Sequence, residues 1–517
     1  MKFHRPVIMG AQGMVATGHS LASTAALDVL KEGGNAFDAA LCASGVLSVV
    51  KSYHCGLGGD VFGIFYSAKE RRVFVLNGSG RSPRLIRRDM FSENIPHKGM
   101  LAASTPGTVD AWCEAAARLG SRSIGDLLTP AIAYAQEGFP VFPHLASVIK
   151  ASRKTLGTDP AWAEIFVPQG KVPEVGDLLV QRDLGATIAE IAKGGREAFY
   201  AGEIAKSIVR SSERHDGYFC LSDFAEHRSR WEEPLSAQYA GYEVCVPPPN
   251  SYGLCLLLQL KMLTHFDLAS YGHNTSEYVA LQVGAKEEAW RSGHSWLADP
   301  DQYRREEVVE FLNAFPRESQ KDNLGAPKTA AGNDTTYIAT ADKFGNWASL
   351  IQSVHHSFGC GIVVEGTGIV LNNRMSGFNL IPGHANELAP AKLPAHTLSP
   401  ALVLKDNVPV LAIGTPGGLG QTQFLAQTLC NLFDFKMNLQ EAIEAPRWQS
   451  ETPNHVDLES RFSSDVSEFL VGAGYDVKVC GPWEFAFGGV EAIYLHPNGK
   501  VFMGAADPRR DGYAMGY

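Results

Sequence analysis

The sequence has no excess of positive charge. Its 45 lysines and arginines are outnumbered by 55 aspartates and glutamates, for a formal net charge of −10. A surface that tracks phosphates needs the opposite balance, which argues against non-specific binding of nucleic acid or an anionic membrane. Long apolar runs are also missing. Residues 41–50 mix small and polar side chains and are too short to span a bilayer. The first nine residues lack the continuous apolar segment of a secretion signal. No zinc-finger spacing and no Gly-Lys-Ser/Thr phosphate loop occurs, and the acidic residues show no paired spacing suited to glycosidase chemistry. The 9 cysteines are odd in number and unevenly spaced. That pattern predicts buried thiols in a reducing compartment, hence a cytoplasmic location.

What is present is ample core. The chain has 517 residues, 45% of them hydrophobic, and 52 glycines, enough for one large or two moderate domains. The pattern predicts a helix at residues 23–31 ending at Gly33-Gly34, and a second from about Ala36. Strands at 61–67 and 72–76 follow the glycine-rich Gly56-Leu57-Gly58-Gly59-Asp60. Helical patterns occupy 111–119, 124–136 and 181–192, and an apolar interior helix is expected at 254–263. Residues 305–334 are largely polar and read as a surface segment. Beyond them the character turns to β: runs at 336–340 and 347–354 around Asn346, others at 401–404 and 408–413, and a last hairpin around Pro497-Asn498-Gly499. Helices return at 423–433 and 439–445. Strands and helices come in pairs rather than alternating, without a clean linker or repeat, so an α+β layered sandwich is expected.

The chemistry centres on Asp334-Thr335-Thr336. A threonine hydroxyl is a poor nucleophile until a base stands beside it, and a free α-amine on the same residue supplies one once the preceding bond is cut. That amine has a reference pKa of about 8, so much of it is neutral near physiological pH. A threonine pair heading a strand is common, however, and these residues alone do not single out Thr335. Gly414-Thr415-Pro416-Gly417-Gly418 ends an apolar strand. Its glycines suit an oxyanion hole and equally suit a tight strand-to-helix connection. Arg81 suits a bidentate hold on a carboxylate and equally a solvated surface position. The adjacent His355 and His356 should point to opposite faces of a strand, which disfavours a shared metal. His54 beside Cys55 carries no catalytic signature, and Cys55 reads as packing or site lining.

Taken in order, many short motifs resemble the gamma-glutamyltransferase family of self-cleaving N-terminal-nucleophile hydrolases. They include Lys31-Glu32-Gly33-Gly34-Asn35-Ala36, Gly56-Leu57-Gly58-Gly59, Pro247-Pro248-Pro249, Thr335-Thr336, Leu371-Asn372-Asn373, Pro416-Gly417-Gly418, Glu444-Ala445-Pro446-Arg447 and Asp507-Pro508-Arg509. The resemblance spans nearly the whole chain and implies a four-layer αββα sandwich. It further implies autocatalytic cleavage between Asp334 and Thr335, giving a large subunit, residues 1–334, and a small one, residues 335–517, intertwined in one domain. Thr335 would be the nucleophile, supported by Thr336 and Ser353, with Gly417 and Gly418 as the oxyanion hole and Arg81 on the substrate carboxylate. No organic cofactor and no metal is implied. The expected partners are a small-molecule amide and the two subunits of one precursor, which can pair further into a dimer of heterodimers.

The recognition positions depart from the transpeptidases. Where those hold the glutamyl α-amino group with an asparagine, a glutamine and an aspartate, this chain resembles them with His355, Arg374 and Gly377, and a serine pair is replaced by His396-Thr397. Loss of the aspartate removes the charge that neutralises an ammonium, and Arg374 adds a like charge. The expected substrate is therefore a small amide with an anionic acyl group, such as oxamate or a dicarboxylic monoamide. The run Leu350-Ile351-Gln352-Ser353 is similar to the transferase-like branch that includes oxamate amidohydrolase and cephalosporin acylases. A gamma-glutamyl transferase or glutathione hydrolase, and an unprocessed binding or structural protein, are the competing readings.

Overall fold

The hairpin that opens at Thr335 shows how local sequence builds this fold. Asp342 accepts hydrogen bonds from the N–H groups of Phe344 (2.9 Å) and Asn346 (3.0 Å), and Gly345 supplies a φ of +88°. The chain thus reverses tightly between two nine-residue strands, Asp334–Asp342 and Trp347–His355. Every residue of the second strand is buried, so the hairpin lies at the centre of its sheet. The structure, a computed structural model, describes residues 4–316 and 334–517, and of Asp334 the backbone only.

In chain order the strands of the two main sheets are β1 (Ile8–Gly10), β2 (Gly13–Thr17), β3 (Asp60–Ser67), β4 (Arg72–Gly78), β5 (Arg230–Glu232), β6 (Leu235–Tyr239), β7 (Tyr242–Val246), β8 (Asp334–Asp342), β9 (Trp347–His355), β10 (Ala401–Lys405), β11 (Val408–Gly414), β12 (Glu491–Leu495), β13 (Phe502–Ala506) and β14 (Tyr513–Gly516). One seven-stranded sheet runs β14-β2-β8-β9-β3-β4-β5 and the other β1-β13-β12-β11-β10-β7-β6. All neighbours within both are antiparallel. The sheets face each other through Met14, Phe62, Ile64, Tyr337, Ile351, Leu402 and Ile493.

Helices cover both outer faces. Against the first sheet lie α1 (Ser20–Lys31) and α2 (Ala36–Val50), and α2 touches both β8 and β9. A capping box between Asn35 and Asp38 starts α2, and every residue in it is buried, as an all-round apolar helix requires. Against the second sheet lie α3 (Gly253–Leu263), α4 (Ser276–Gly293) and α5 (Gln421–Phe433), sharing an apolar core with β6, β7, β10 and β11. The result is the expected α+β, four-layer αββα sandwich.

Most elements fall where the sequence places them, the first two helices, the β8–β9 hairpin and the Pro497-Asn498-Gly499 hairpin among them. Two expectations are corrected. The polar segment after residue 305 begins as a helix, Arg305–Ala314, because Val308 and Leu312 recur at helical spacing and are buried. Its remainder, residues 317–333, lies outside the described residues. The rings of His355 and His356 do not diverge: their centroids are 4.4 Å apart. His355 has a φ of +82°, which turns the chain out of the strand and removes the alternation of faces. The nine cysteines are all free, six of them buried. No helix among the described residues is long and apolar enough to cross a membrane.

Candidate active site

The site starts from an irregularity in the β8–β9 ladder. Asp334 pairs with His355 and Thr336 with Gln352, so Ser353 and Val354 together stand opposite Thr335. Such a bulge re-aims a side chain locally. Here Thr335 Oγ1 donates to Ser353 Oγ at 3.2 Å, and Ser353 Oγ also accepts the His355 N–H at 2.7 Å. Both hydroxyls are buried.

Beside this pair Thr336 Oγ1 is buried with no hydrogen-bond partner among the described residues and presses on Gly18, where a Cβ would lie 2.2 Å from it. Gly18 is fixed from two sides: its N–H donates to the Tyr337 carbonyl (3.1 Å) and its carbonyl accepts from Lys51 Nζ (3.0 Å). Burial drives the Lys51 pKa down, and burial, opposed by Lys51, raises that of Glu491 to about 8. Gln352 donates to Cys55 Sγ (3.2 Å) and the Ser44 carbonyl (3.1 Å), and its side-chain oxygen accepts from the Ser44 hydroxyl. Cys55 is therefore packing beneath the hairpin, its thiol pushed up to about 12 by burial.

The glycine-rich turn leaves β11 against the same strand. A Cβ on Gly414 would meet the Tyr337 ring at 2.1 Å, so the close approach requires glycine there. Gly417 and Gly418 adopt φ of +128° and +54°, and neither amide donates to another group of the described residues. Backbone N–H groups turned out of regular structure in this way suit developing negative charge.

The recognition positions separate into two groups. Arg374, His396 and Thr397 come together, all buried. Arg374 Nη1 lies 3.4 Å from Thr397 Oγ1 and Arg374 Nε 3.5 Å from Asp60 Oδ2, an ion-pair contact, and neither Nε nor Nη2 has a hydrogen-bond partner among the described residues. Burial lowers the Arg374 pKa to about 10, which still leaves it charged near neutrality. His355 flanks this group with Nδ1 3.2 Å from Ser376 Oγ, and burial followed by the charge of Arg374 holds it well below the usual histidine range. Gly377 packs under the Ala395 carbonyl, where a Cβ would stand 2.7 Å away. Arg81 stands apart from these residues. Its guanidinium is held by Asp299 (2.7 Å), Asp301 (2.9 Å) and the Ala391 carbonyl (2.9 Å), at the rim of a roughly 360 Å³ polar cavity shared with Arg84, His227 and Arg230.

The Gamma-glutamyltranspeptidase family's sequence model matches residues 22–517. The chain belongs to that family. A Bacillus subtilis relative, a glutathione hydrolase-like YwrD proenzyme, is 36% identical over 98% of this chain and 99% of its own. The oxamate amidohydrolase proenzyme of Klebsiella pneumoniae subsp. pneumoniae is 31% identical, covering 98% of this chain and 99% of its own. The crystal structure of cephalosporin acylase from Bacillus halodurans superposes with a TM-score of 0.92 at 35% identity, over 99% of this chain and 97% of that one. The sandwich is accordingly that of the N-terminal-nucleophile hydrolases, and the protein is a family hydrolase.

Sequence reasoning missed Asp60, which ends the glycine-rich lead-in to β3 and binds both Arg374 and His396. The one signal available was its place after Gly58-Gly59, where a charged residue heads an otherwise apolar strand. Lys51 and Glu491, which flank Gly18 and Gly414, gave no local signal at all.

Proposed function

We propose that this protein is a self-cleaving amidohydrolase that acts on small carboxylate-bearing amides through an acyl-Thr335 intermediate. In this reading Thr335 Oγ1 first attacks the Asp334 carbonyl carbon. The C–N bond breaks, the nitrogen takes up the Oγ1 proton to become the new α-amine, and water hydrolyses the resulting ester to leave the Asp334 carboxylate and the free Oγ1 hydroxyl. Residues 1–334 and 335–517 are then the large and small subunits. In turnover the α-amine takes the Oγ1 proton as Oγ1 attacks the substrate amide, and the Gly417 and Gly418 amides hold the oxyanion. The leaving amine departs with that proton. Water, deprotonated by the Thr335 α-amine, then attacks the ester carbon; the C–Oγ1 bond breaks, the α-amine returns the proton to Oγ1, and the acyl group leaves as a carboxylate.

The observation that carries the nucleophile is the buried Thr335–Ser353 hydroxyl pair at a bulged strand head, 3.2 Å apart. Thr336 stands beside it as a second support. For the acyl group the favoured anchor is Arg374, buried with Nη2 open, with His355, His396 and Thr397 around it. Arg81 is a weaker anchor, since a carbonyl and two carboxylates already take three of its five donors and the carboxylates offset its charge. The kinship of the chain with proteins named oxamate amidohydrolase, acylase and glutathione hydrolase-like supports an amide substrate without choosing among them. A gamma-glutamyl substrate fits less well, because the carboxylate nearest Arg374 is Asp60, already paired, and no free acid faces an ammonium among the described residues of this group.

The test is denaturing intact mass of the wild type and Thr335→Ala, followed by hydrolysis of oxamate, glutaryl amides and glutathione. Fragments of roughly 36 and 20 kDa by residue share, absent from the variant, are expected, with turnover of the carboxylated amides above glutathione. A single uncut, inactive wild-type chain would sink the reading. Faster turnover of glutathione, accelerated by glycylglycine, would replace it with gamma-glutamyl transfer.

A further inference from the structure

Asp60 is wholly buried at the head of β3, in register with Ser353 on β9. Each of its oxygens is engaged: Oδ1 accepts the Gly80 N–H at 3.0 Å, and Oδ2 faces His396 Nε2 at 3.1 Å and Arg374 Nε at 3.5 Å. The protonation of His396 follows from its other nitrogen. Nδ1 lies 3.3 Å from the Leu398 N–H and accepts from it, so in the neutral ring the proton sits on Nε2 and is donated to Asp60. Burial, with Arg374 nearby, keeps the His396 pKa down to about 4, so this imidazole brings a donor and no charge near neutrality. Arg374 is thus the cation that balances Asp60, its Nε in ion-pair contact 3.5 Å from Oδ2 without a formed hydrogen bond, while Nη1 leans on Thr397 and Nη2 has no hydrogen-bond partner among the described residues. A guanidinium held on one edge presents the other in a fixed direction, which is what bidentate or end-on recognition of a carboxylate needs.

We infer that Asp60 is the positioning residue of the acyl pocket: as the counter-ion on the Nε edge of Arg374 and the acceptor of the Nε2–H of His396, it orients the other edge of the guanidinium toward the carboxylate of the acyl group, and so sets selectivity for anionic over neutral acyl chains. The inference rests on the reading of Arg374 as the acyl anchor given above. It concerns selectivity rather than the nucleophile: Asp60 acts through Arg374 and His396, and of these only Arg374 carries the charge that tells an anionic from a neutral acyl chain.

The experiment compares glutaryl p-nitroanilide with its neutral counterpart pentanoyl p-nitroanilide on the wild type, Asp60→Asn, Arg374→Gln and the double variant, all as the processed full-length protein. The wild type is expected to favour the glutaryl substrate by about 100-fold in kcat/KM, and Arg374→Gln to lose that preference. Asp60→Asn keeps an acceptor for His396 but removes the countercharge, and is expected to lose about tenfold of the preference through KM rather than kcat. In the Arg374→Gln background the same change should cost nothing more, since two residues acting through one contact are not additive. Unaltered preference in Asp60→Asn, or a further loss in the double variant, overturns the positioning role while leaving the amidohydrolase reading intact. No preference in the wild type, or its persistence in Arg374→Gln, overturns the underlying reading instead. If Asp60→Asn does not accumulate as folded protein, Asp60→Glu, which moves the charge by one methylene, should show an intermediate loss in preference, and an unchanged preference there refutes the proposal.

Discussion

Gly18→Ala tests the support of the nucleophile without touching it. The new methyl carbon would sit 2.2 Å from Thr336 Oγ1 and 3.4 Å from Thr336 Cβ, so only the hydroxyl is in its way. Ordinary contact begins near 3.4 Å, which leaves a deficit of roughly 1 Å. The backbone on both sides is tied down, by the Gly18 N–H to the Tyr337 carbonyl and by Lys51 on the Gly18 carbonyl. Relief therefore comes from Thr336 itself. A β-branched side chain has three staggered positions, and turning Hβ toward the methyl is the one that avoids the clash. That turn breaks no hydrogen bond, because Thr336 Oγ1 has none. The cost in stability should stay near 1 kcal/mol, at the low end for overpacking. The hydroxyl, however, leaves its place beside Thr335. A displacement of about 1 Å at a reacting group costs up to about 100-fold in rate, or about 2.7 kcal/mol. The assay is the time course of the appearance of the 335–517 fragment by intact mass, with thermal unfolding measured alongside. Gly284→Ala is the control, a helical glycine whose Cβ would meet nothing within 4 Å. A 10- to 100-fold slower cut with a nearly unchanged melting temperature is expected for Gly18→Ala and for Thr336→Ala. Cleavage at the wild-type rate in both would remove Thr336 from the machinery.

Two further outcomes follow from the same geometry. Ser353→Ala deletes the acceptor of both the Thr335 hydroxyl (3.2 Å) and the His355 N–H (2.7 Å), leaving a buried donor unpaired. It should destabilise by about 1–3 kcal/mol and slow acylation at least tenfold; normal kcat on a carboxylated anilide would count against the hydroxyl pair. Acid should destabilise the fold between pH 6.5 and 4. Three buried histidines, His19, His227 and His396, and the half-buried His294 have folded pKa values lowered by burial to between about 3 and about 4. The unfolded chain binds protons at these positions below its reference of about 6.5 while the native protein does not, so stability falls with pH through that window. The slope is on the order of 1 kcal/mol per pH unit for each histidine. Glu491 acts in the opposite sense. Its folded pKa of about 8 means the native state holds a proton the unfolded state has released above about 4.5, so its contribution is lost as pH rises from 4.5 toward 8. Denaturant midpoints from pH 4 to 8 would show a stability maximum between the two effects, and a flat profile below 6.5 would contradict the burial of the histidines.

Whatever depends on neighbours in sequence was legible. The β8–β9 hairpin carries its own turn in Asp342-Lys343-Phe344-Gly345-Asn346, α2 carries its capping box, and the glycines at 417 and 418 announce positive φ. The site's electrostatics were not legible, since they depend on strands brought together across the fold. Asp60 and His396 are 336 positions apart, and neither run of sequence hints at the other. For the same reason Arg374 read as an uncompensated charge, when in the fold a carboxylate from β3 faces its Nε edge. The His355-His356 reading failed more locally, because strand alternation was assumed for a residue whose positive φ ends the strand.

The topology also explains how a cut before Thr335 can be tolerated. β8 is paired on one side with β2, through Ile338 opposite Thr17 to Asp342 opposite Gly13, and on the other with β9. β9 in turn pairs with β3 from Trp347 opposite Tyr66 to Ser353 opposite Asp60. Strands from before and after residue 334 are therefore interleaved within the first sheet, and in the second the block β10 to β13 is flanked by β1 on one side and by β7 and β6 on the other. Breaking one peptide bond at the head of β8 removes none of these ladders. The two chains would stay locked as a single cooperative unit, and the new α-amine would be delivered beside its own hydroxyl by a strand held along both edges. An edge strand or a loop would let the freed terminus wander, at the cost in rate that loss of orientation carries. On the proposed mechanism, a Thr335 placed mid-sheet would keep, as a new N-terminal residue, the geometry it had inside the chain.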